Sequence, residues 1–270
     1  MSFISFWRRN LALFKLGIVT NLEYRFNFFI DAFLQPILSV AIELLMWIAI
    51  FKSAETTSIG GFTKEYYLAY AAWAPFIGRI TISWMYESMM VEEVVSGSIN
   101  TILTRPLSFY EYYLSQMMGY KLITTFLSLL VPVIFSLIFK LPIHYERLPL
   151  VLLIVAYYLL LIHTLSFIIS TFGFYLTRVR SLTLVKNISL TLLSGEIVPV
   201  DLMPESLQKL FLILPFSNGV YAPLAYLTGR KGIEIIHYGF FNISAALLIS
   251  GFLAYWLWVR GIREYTGTGA

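Results

Sequence analysis

Cysteine is absent from the 270 residues of this chain. That absence excludes disulfide bonds, thiolate catalysis and metal or iron–sulfur sites built on cysteine. It does not identify the redox compartment, because a chain without thiols is compatible with either side of a membrane. Histidine is nearly as scarce, with three residues far apart at His144, His163 and His237. They leave little material for a histidine-based metal centre.

Charged residues are also scarce. Charged residues make up 13% of the chain and apolar residues 59%, against about 25% and roughly 45–50% in soluble domains. This balance argues against a soluble globular enzyme and against a disordered chain. The net charge of +4 is typical of basic anchors at a membrane boundary, so we do not infer nucleic-acid binding from it.

The apolar residues are concentrated in long runs, close to the roughly 20–25 residues that an α-helix needs to cross a ~30 Å hydrocarbon layer. Six such runs occupy residues 26–51, 66–90, 112–139, 148–176, 182–198 and 235–259. We therefore expect an all-α integral membrane protein with six transmembrane helices, forming a single transmembrane domain over residues 1–270.

Residues 1–25 carry too many charges for a signal peptide and show one apolar stripe at helical spacing. The stripe consists of Trp7, Leu11, Phe14, Ile18 and Leu22. Arg8, Arg9 and Lys15 interrupt the run, and Arg8 and Lys15 lie together on another side of the helix. This pattern predicts an amphipathic helix in the membrane interface, anchored by Trp7 and the basic residues. The alternative is an ordinary first membrane span.

Six spans place both termini on the same side, and basic residues identify that side. With the termini inside, the inner segments hold Arg8, Arg9, Lys15, Arg25, Arg105, Arg178, Arg180, Lys186, Arg260 and Arg263. The outer segments hold fewer: Lys52, Lys64, Lys140, Arg147, Lys209, Arg230 and Lys231. The sequence therefore predicts cytoplasmic termini.

Residues 199–231 form a semi-polar stretch between the fifth and sixth runs. Pro204 suits the first turn of a helix that extends to about residue 214, before Pro215. Asn218 suits the cap of a second short helix that ends at Gly229. Each helix is too short to span, so we expect two re-entrant helices in the outer leaflet. One kinked seventh span is the alternative.

A few ionisable residues lie inside the predicted spans, where charge is costly. Asp31 and Gln35 share one face of the first span, and Lys186 is close enough to an inner end to extend to the headgroups. Glu43 and Arg79 lie at depths that permit an ion pair between the first two spans. Such a pair either neutralises charge during packing or lines a substrate path.

Aromatic residues are abundant, and one stripe lies in the outer half of the second span. It consists of Tyr66, Tyr67, Tyr70 and Trp73. Helix packing and an interfacial belt explain it most simply. Stacking on sugar rings along a glycan path is the alternative.

The polar segment 91–111 follows the second span. Local sequence predicts a short cytoplasmic helix closed by Pro106, after which Ser108 and Glu111 form a capping box for the third span. Two acidic residues, a glycine and an apolar pair suit docking into a groove on another protein. A plain connecting loop is the alternative. From Glu93 to Leu107 the pattern E-x-x-x-G-x-I-x-x-I-L-x-x-P-L resembles the coupling segment of type-2 ABC exporter permeases.

A second stretch supports the same resemblance. Gly195, Pro199, Pro204, Pro215 and Tyr221 follow the family's spacing for short outer-leaflet helices between spans five and six. The order of parts also matches over essentially the whole chain. The family leads us to expect an apolar or aromatic residue at the position of Glu196, so that residue departs from the pattern.

The resemblance implies one permease of an ATP-driven exporter in a bacterial inner membrane. The sequence has no G-x-x-x-x-G-K-[S/T] phosphate loop. ATP-Mg would therefore be bound by a separate ATPase, expected in two copies, and this chain would hold no cofactor of its own. The path for a lipid-like, drug-like or glycan substrate would form with a second permease, identical or homologous. The implied ATPase contacts are Glu92, Glu93, Gly97, Ile99, Leu103 and Pro106.

Two other functions are open at this stage. An ion-coupled secondary transporter would show inverted repeats and a midplane ion site, and we find no convincing repeat. An integral membrane enzyme would need a catalytic constellation, and neither HExxH nor GxSxG is present.

Overall fold

The computed structural model describes residues 3–23, 25–176 and 178–266. Residues 1–2 and 24 of the predicted interface helix lie outside the described residues, as does the end of the polar tail. The bounds of the α-helices are α1 Phe3–Glu23, α2 Arg25–Phe29, α3 Gln35–Ala54, α4 Lys64–Thr81, α5 Trp84–Ser96, α6 Asn100–Leu103, α7 Phe109–Ser128, α8 Leu130–Ile138, α9 Leu148–Thr171, α10 Arg180–Leu193, α11 Glu205–Ile213, α12 Tyr221–Leu227 and α13 Glu234–Glu264.

Short elements connect these helices. A π-helical turn, Ile30–Leu34, joins α2 to α3. Single 3₁₀ turns cover Tyr145–Arg147, Phe172–Phe174, Val200–Leu202 and Pro215–Asn218. A small antiparallel hairpin, β1 Ser58–Ile59 and β2 Phe62–Thr63, fills the predicted polar loop after α3. Its turn uses Gly60 and Gly61, both with positive φ.

Four helical stretches of the described residues are long and apolar enough to cross a membrane. They are Arg25–Ala54, Phe109–Ile138, Tyr145–Phe174 and Glu234–Glu264. The expectation of an all-α membrane protein is therefore confirmed. The second and fifth predicted spans do not meet this criterion. The fifth is reduced to α10, with 14 residues, and the second is two helices where one was predicted.

The second span breaks at Ile82 and Ser83. Ile82 has extended backbone angles, φ −76° and ψ 128°. The hydroxyl of Thr81 donates to the Gly78 carbonyl at 2.8 Å, and the Ile82 amide shares that acceptor at 3.0 Å. The helical hydrogen bonding of α4 therefore reaches the Ile82 amide, and the extended backbone of Ile82 ends it. α4 and α5 are therefore separate rods joined at residues 82–83.

Two hydrophobic cores hold the helices together. The larger core contains Trp73, whose indole Nε1 donates to the Ser136 hydroxyl at 2.9 Å. The aromatic stripe of Tyr66, Tyr67, Tyr70 and Trp73 lies in this core, and all four side chains are buried. Packing, and not exposure along a path, is therefore their role. The smaller core surrounds α5 and the start of α7 and includes Tyr86, Met90, Ile99, Tyr113 and Met117.

The connecting segments meet in two separate groups. At one end, Arg9 donates to the Pro106 carbonyl at 2.7 Å, and the Tyr265 hydroxyl donates to the Gly97 carbonyl at 3.1 Å. This first end thus collects α1, the coupling segment (residues 91–111) and the end of α13.

The second end gathers the remaining connections. The Tyr66 hydroxyl donates to Asp201 at 2.9 Å. The His144 amide donates to the Leu227 carbonyl at 3.0 Å. The start of α4, the connection from α8 to α9, and residues 199–231 therefore lie together, away from the coupling segment.

Helix α1 packs closely along the first half of α7. A methyl group on Gly119 would overlap the Phe14 carbonyl, and one on Gly17 would overlap the Gln116 backbone. Small residues at such positions let two backbones approach. Trp7 remains exposed, so α1 contacts α7 on one side and leaves an apolar side uncovered.

We expect Gly119→Ala to destabilise the protein, because the added methyl group pushes α1 off α7. Overpacking of this kind costs about 1–3 kcal/mol. The measurement is the thermal unfolding midpoint in mild detergent. The control is Gly251→Ala in α13, where nothing lies within 4 Å of the added carbon. An unchanged midpoint for Gly119→Ala would contradict the close packing of α1 on α7.

Candidate coupling segment and intramembrane cavity

The coupling segment is fixed to the end of α5 by backbone geometry. Gly97 terminates the helix in the left-handed region, with φ 78°, a conformation that glycine adopts without strain. The chain then folds back, so the Ile99 amide donates to the Glu93 carbonyl at 3.0 Å. One turn of helix, α6, follows. α5 and α6 therefore form one body.

The six predicted ATPase contacts divide by exposure. Glu92, Leu103 and Pro106 are exposed, so their side chains are available to a partner. Gly97 and Ile99 are buried, with Ile99 fully inside the smaller core. Those two residues shape and anchor the turn, and their role as ATPase contacts stays a prediction. Their apolar or small character is what burial at the helix end requires.

Glu93, the sixth residue, is half-buried. It faces the hydroxyl of Tyr113, and its Oε2 atom is buried without a hydrogen-bond partner. Burial raises the pKa of the Glu93 carboxyl above its usual value, while the Tyr113 hydroxyl lowers it by a smaller amount. Glu93 therefore faces the protein, unlike the exposed carboxylate of Glu92 beside it.

Helix α1 holds the coupling segment from the other side. Arg9 bonds the Pro106 carbonyl and forms a 2.7 Å ion pair with Glu111. Glu111 also donates its backbone amide to the Ser108 hydroxyl at 3.4 Å, so the predicted cap of α7 is confirmed. Of the other interface-helix residues, Trp7, Arg8 and Lys15 are exposed. Arg9 is therefore a structural link, in addition to its predicted role at the membrane surface.

A cavity of about 260 Å³ lies where α3, α4, α5 and α7 meet the segment after α10. Its ionisable and amide lining consists of Asp31, Gln35, Glu43, Arg79, Lys121 and Glu196. A second cavity of about 230 Å³, lined almost wholly by apolar side chains of α10 and its neighbours, shares Ile82 and Trp84 with the first. Together they combine a polar region with an apolar one.

The predicted Glu43–Arg79 pair is wrong. Arg79 forms a 2.8 Å ion pair with Asp31 and donates to the Gln35 side chain at 2.8 Å. Gln35 lies one turn from Asp31, so both reach the same guanidinium. Glu43 lies eight residues beyond Gln35, about 12 Å along the helix. That distance places it out of reach.

Glu43 and Glu196 both line this cavity. The Glu196 carboxyl lies against Gly78, where any side chain would collide with it. Neither carboxylate occurs among the ion pairs of the described residues. The departure from the family pattern at Glu196 thus adds to the cavity a second carboxyl group without an ion-pair partner among the described residues.

Residues 199–231 are held to α4 by Asp201, which sequence reasoning missed. Asp201 is 5% exposed at its side chain and accepts from the hydroxyls of Tyr66 and Tyr221, each at 2.9 Å. Arg230 lies 3.6 Å from the same carboxylate. Gly195, at φ 80°, turns the chain so that its carbonyl accepts from Tyr70. An acidic residue between two prolines, facing a tyrosine stripe, was the available signal.

The two predicted short helices exist as α11 and α12. The motif residues mark their boundaries: Pro199 precedes the 3₁₀ turn at Val200–Leu202, Pro204 precedes α11, Pro215 begins the next 3₁₀ turn and Tyr221 begins α12. α11 has no buried residue, whereas nearly all of α12 is buried.

A buried ion pair joins Glu87 of α5 to Lys186 of α10. Glu87 is fully buried, and its Oε2 atom also accepts from the Ser166 hydroxyl of α9 at 2.7 Å. Lys186 therefore does not extend to the headgroups as expected. Glu87 was missed because it lies in the polar end of the second predicted span, next to Glu92 and Glu93.

The chain matches a known protein family over most of its length. The model of a family described as "ABC-2 family transporter protein" matches residues 37–269. The chain belongs to the ABC-2 transporter family. A search of curated proteins returned no match. As an ABC-2 protein, the chain is a multi-pass membrane permease of an ABC transporter. The family's permeases lack their own ATPase domain and associate with an ABC ATPase partner.

The position of Glu93 predicts a pH-dependent stability. Its pKa in the folded protein lies above the ordinary glutamate value of about 4.5, so charging the buried carboxyl costs stability as the pH rises above that value. We expect Glu93→Gln to raise the unfolding midpoint at pH 7, and the gain to vanish near pH 4.5. The exposed neighbour supplies the control, because Glu92→Gln should leave the midpoint unchanged at both pH values. Equal behaviour of the two variants would contradict the inward orientation of Glu93.

Proposed function

We propose that this permease is one membrane half of an ATP-driven exporter in a bacterial inner membrane. A separate ATPase, present in two copies, would hydrolyse ATP-Mg beneath it. A second permease, identical or homologous, would complete the path. The observation that carries the proposal is the coupling segment, an exposed turn built rigidly onto a helix that leads into the membrane core.

Six membrane crossings with cytoplasmic termini are supported by the two groups of connecting segments. α1, the coupling segment and the end of α13 meet at one end. The hairpin, the α8–α9 connection and residues 199–231 meet at the other. Following the chain from group to group gives six traverses, including one by α4–α5 and one by α10.

Re-entrant placement of residues 199–231 is supported by the contrast between α11 and α12. α12 packs into the larger core, whereas Leu207, Leu210 and Ile213 of α11 are exposed. An apolar helix face without a protein partner suits contact with lipid tails. The segment would thus enter the outer leaflet without crossing it.

We assign ATPase docking to the exposed part of the coupling segment. Glu92, Leu103 and Pro106 combine a carboxylate with two apolar surfaces, which suits a groove with a basic rim. Arg9 and Tyr265 hold this turn from two sides. A rigid docking element transmits force better than a mobile loop.

An amphiphilic substrate, lipid-like or drug-like, fits the cavities better than a glycan. The aromatic rings that would stack on sugars are buried in the larger core. The polar cavity adjoins an apolar one through Ile82 and Trp84, and a molecule with a polar head and an apolar tail matches that pair. Family membership does not favour the alternative of an ion-coupled secondary transporter.

Charge reversal at the coupling segment tests this function. We expect Glu92→Lys to reduce the amount of ATPase recovered with the tagged permease, because it places a cation against the basic rim. Recovery is measured by quantitative pull-down in mild detergent, with permease folding checked by its unfolding midpoint. Glu205→Lys, exposed on α11 at the other end, is the matched control and should recover normal ATPase. Full recovery with Glu92→Lys would remove Glu92 from the docking surface.

A further inference from the structure

Three transmembrane helices meet in one buried polar network. Lys186 of α10 pairs with Glu87 of α5 and also donates to the Ser166 hydroxyl of α9 at 2.9 Å. Ser166 lies 3.0 Å from the hydroxyl of Ser83, at the joint between α4 and α5. The network therefore connects α5, α9 and α10 directly at the break in the second span.

The bonding of Glu87 is incomplete on one side. Its Oε2 atom receives Lys186 and Ser166, whereas its Oε1 atom is buried without a hydrogen-bond partner. A buried ion pair contributes little net stability when burial is costly, but it can fix the register between two elements. The Glu87–Lys186 pair is therefore better explained as a contact that fixes the position of α10 relative to α5 than as a source of stability.

Helix α10 depends unusually strongly on that register. Thr183 is the one buried residue among its 14, so apolar packing does little to locate it. Leu184, Val185, Ile188 and Leu192 are exposed. An element with so little buried surface moves easily unless a directional contact holds it.

Helix α5, in contrast to α10, is fixed firmly to the segment that follows it. It carries the coupling segment as one body, because Gly97 and Ile99 close its end. At its start, the extended residue Ile82 and Ser83 separate it from α4. Hinges are a few residues at element ends that absorb a change in backbone angles. α5 is thus a lever with the docking turn at one end and a hinge at the other.

We propose that Glu87 and Lys186 are positioning residues that make α10 follow α5 when the ATPases move the coupling segment. Motion of α5 about residues 82–83 would carry Glu87, and the ion pair would draw Lys186 and α10 with it. Both ends of that linkage reach the polar cavity, since Ile82 and Trp84 line it from the hinge and Glu196 lines it just after α10. The cavity would change shape without any direct contact between α10 and an ATPase. This inference rests on the proposed function.

The test uses distances between spin labels in the permease–ATPase complex. The chain contains no cysteine, so labels can be placed by adding cysteines alone. One pair, Ile188→Cys with Leu153→Cys, reports on α10 against α9. The other pair, Met89→Cys with Leu153→Cys, reports on α5. All three positions are exposed. Distances are measured without nucleotide and with ATP plus vanadate.

In the otherwise unaltered complex, both distances should shift with ATP and vanadate. In Glu87→Gln and in Lys186→Met, the α5 shift should persist and the α10 shift should be lost. The charge-reversed double variant, Glu87→Lys with Lys186→Glu, should restore the α10 shift, and Lys186→Arg should retain it. Glu264→Gln, which breaks an exposed pair with Arg260, is the control and should keep both shifts.

Several results would overturn the proposal. An α10 shift that survives in Glu87→Gln would show that α10 moves independently of the ion pair. Loss of both shifts together, with ATPase bound, would show that the pair only maintains the fold. If Glu87→Gln does not fold, the Lys186→Arg and charge-reversed variants take its place. Absence of the α10 shift in these folded variants would also overturn the proposal. Absence of any ATPase in the complex would instead refute the proposed function.

Discussion

The hydrocarbon layer penalises every charge that lacks a partner, and the internal architecture of this permease follows from that penalty. Arg79 is placed where both Asp31 and Gln35 can reach it, which joins the first and second spans. Lys186 is placed against Glu87, which joins the second span to α10. These ion pairs add directional contacts between helices that the two hydrophobic cores hold together.

Two carboxyl groups that line the polar cavity do not follow this pattern of charge pairing. Glu43 and Glu196 face one another across the cavity without a basic partner in the described part of the chain. Uncompensated carboxylates are retained at a cost, and such residues in membranes are associated with transported substrates or ions. The adjoining apolar cavity extends this polar region towards the exposed face of α10.

Much of the fold follows from residue pattern alone. Apolar runs and prolines predict most of the helices, including α11 and α12, and Ser108 predicts the cap of α7. The break at Ile82 is different, because it is a change in the backbone angles of one apolar residue within an apolar run. Hydropathy does not register backbone angles, so the second span was predicted as one helix.

The sequence also does not show which buried polar side chains pair with each other. Depths counted from the predicted span ends allowed Glu43 to meet Arg79, but Arg79 lies at the level of Asp31 and Gln35, about 12 Å along the helix from Glu43. Asp201 was overlooked for a related reason, since its tyrosine partners lie 135 and 20 residues away in the sequence. In the predicted coupling segment, sequence pattern places Glu92 and Ile99 in one set, whereas the structure exposes Glu92 and buries Ile99. Such distinctions depend on tertiary packing.

The central claim is that ATP hydrolysis by a partner drives this permease. The most direct measurement is purification of the tagged chain in mild detergent, identification of co-purifying proteins, and assay of ATP hydrolysis with and without vanadate. The account predicts recovery of an ABC ATPase with vanadate-sensitive hydrolysis. Recovery of the permease alone under several gentle conditions, with no hydrolysis, would contradict it.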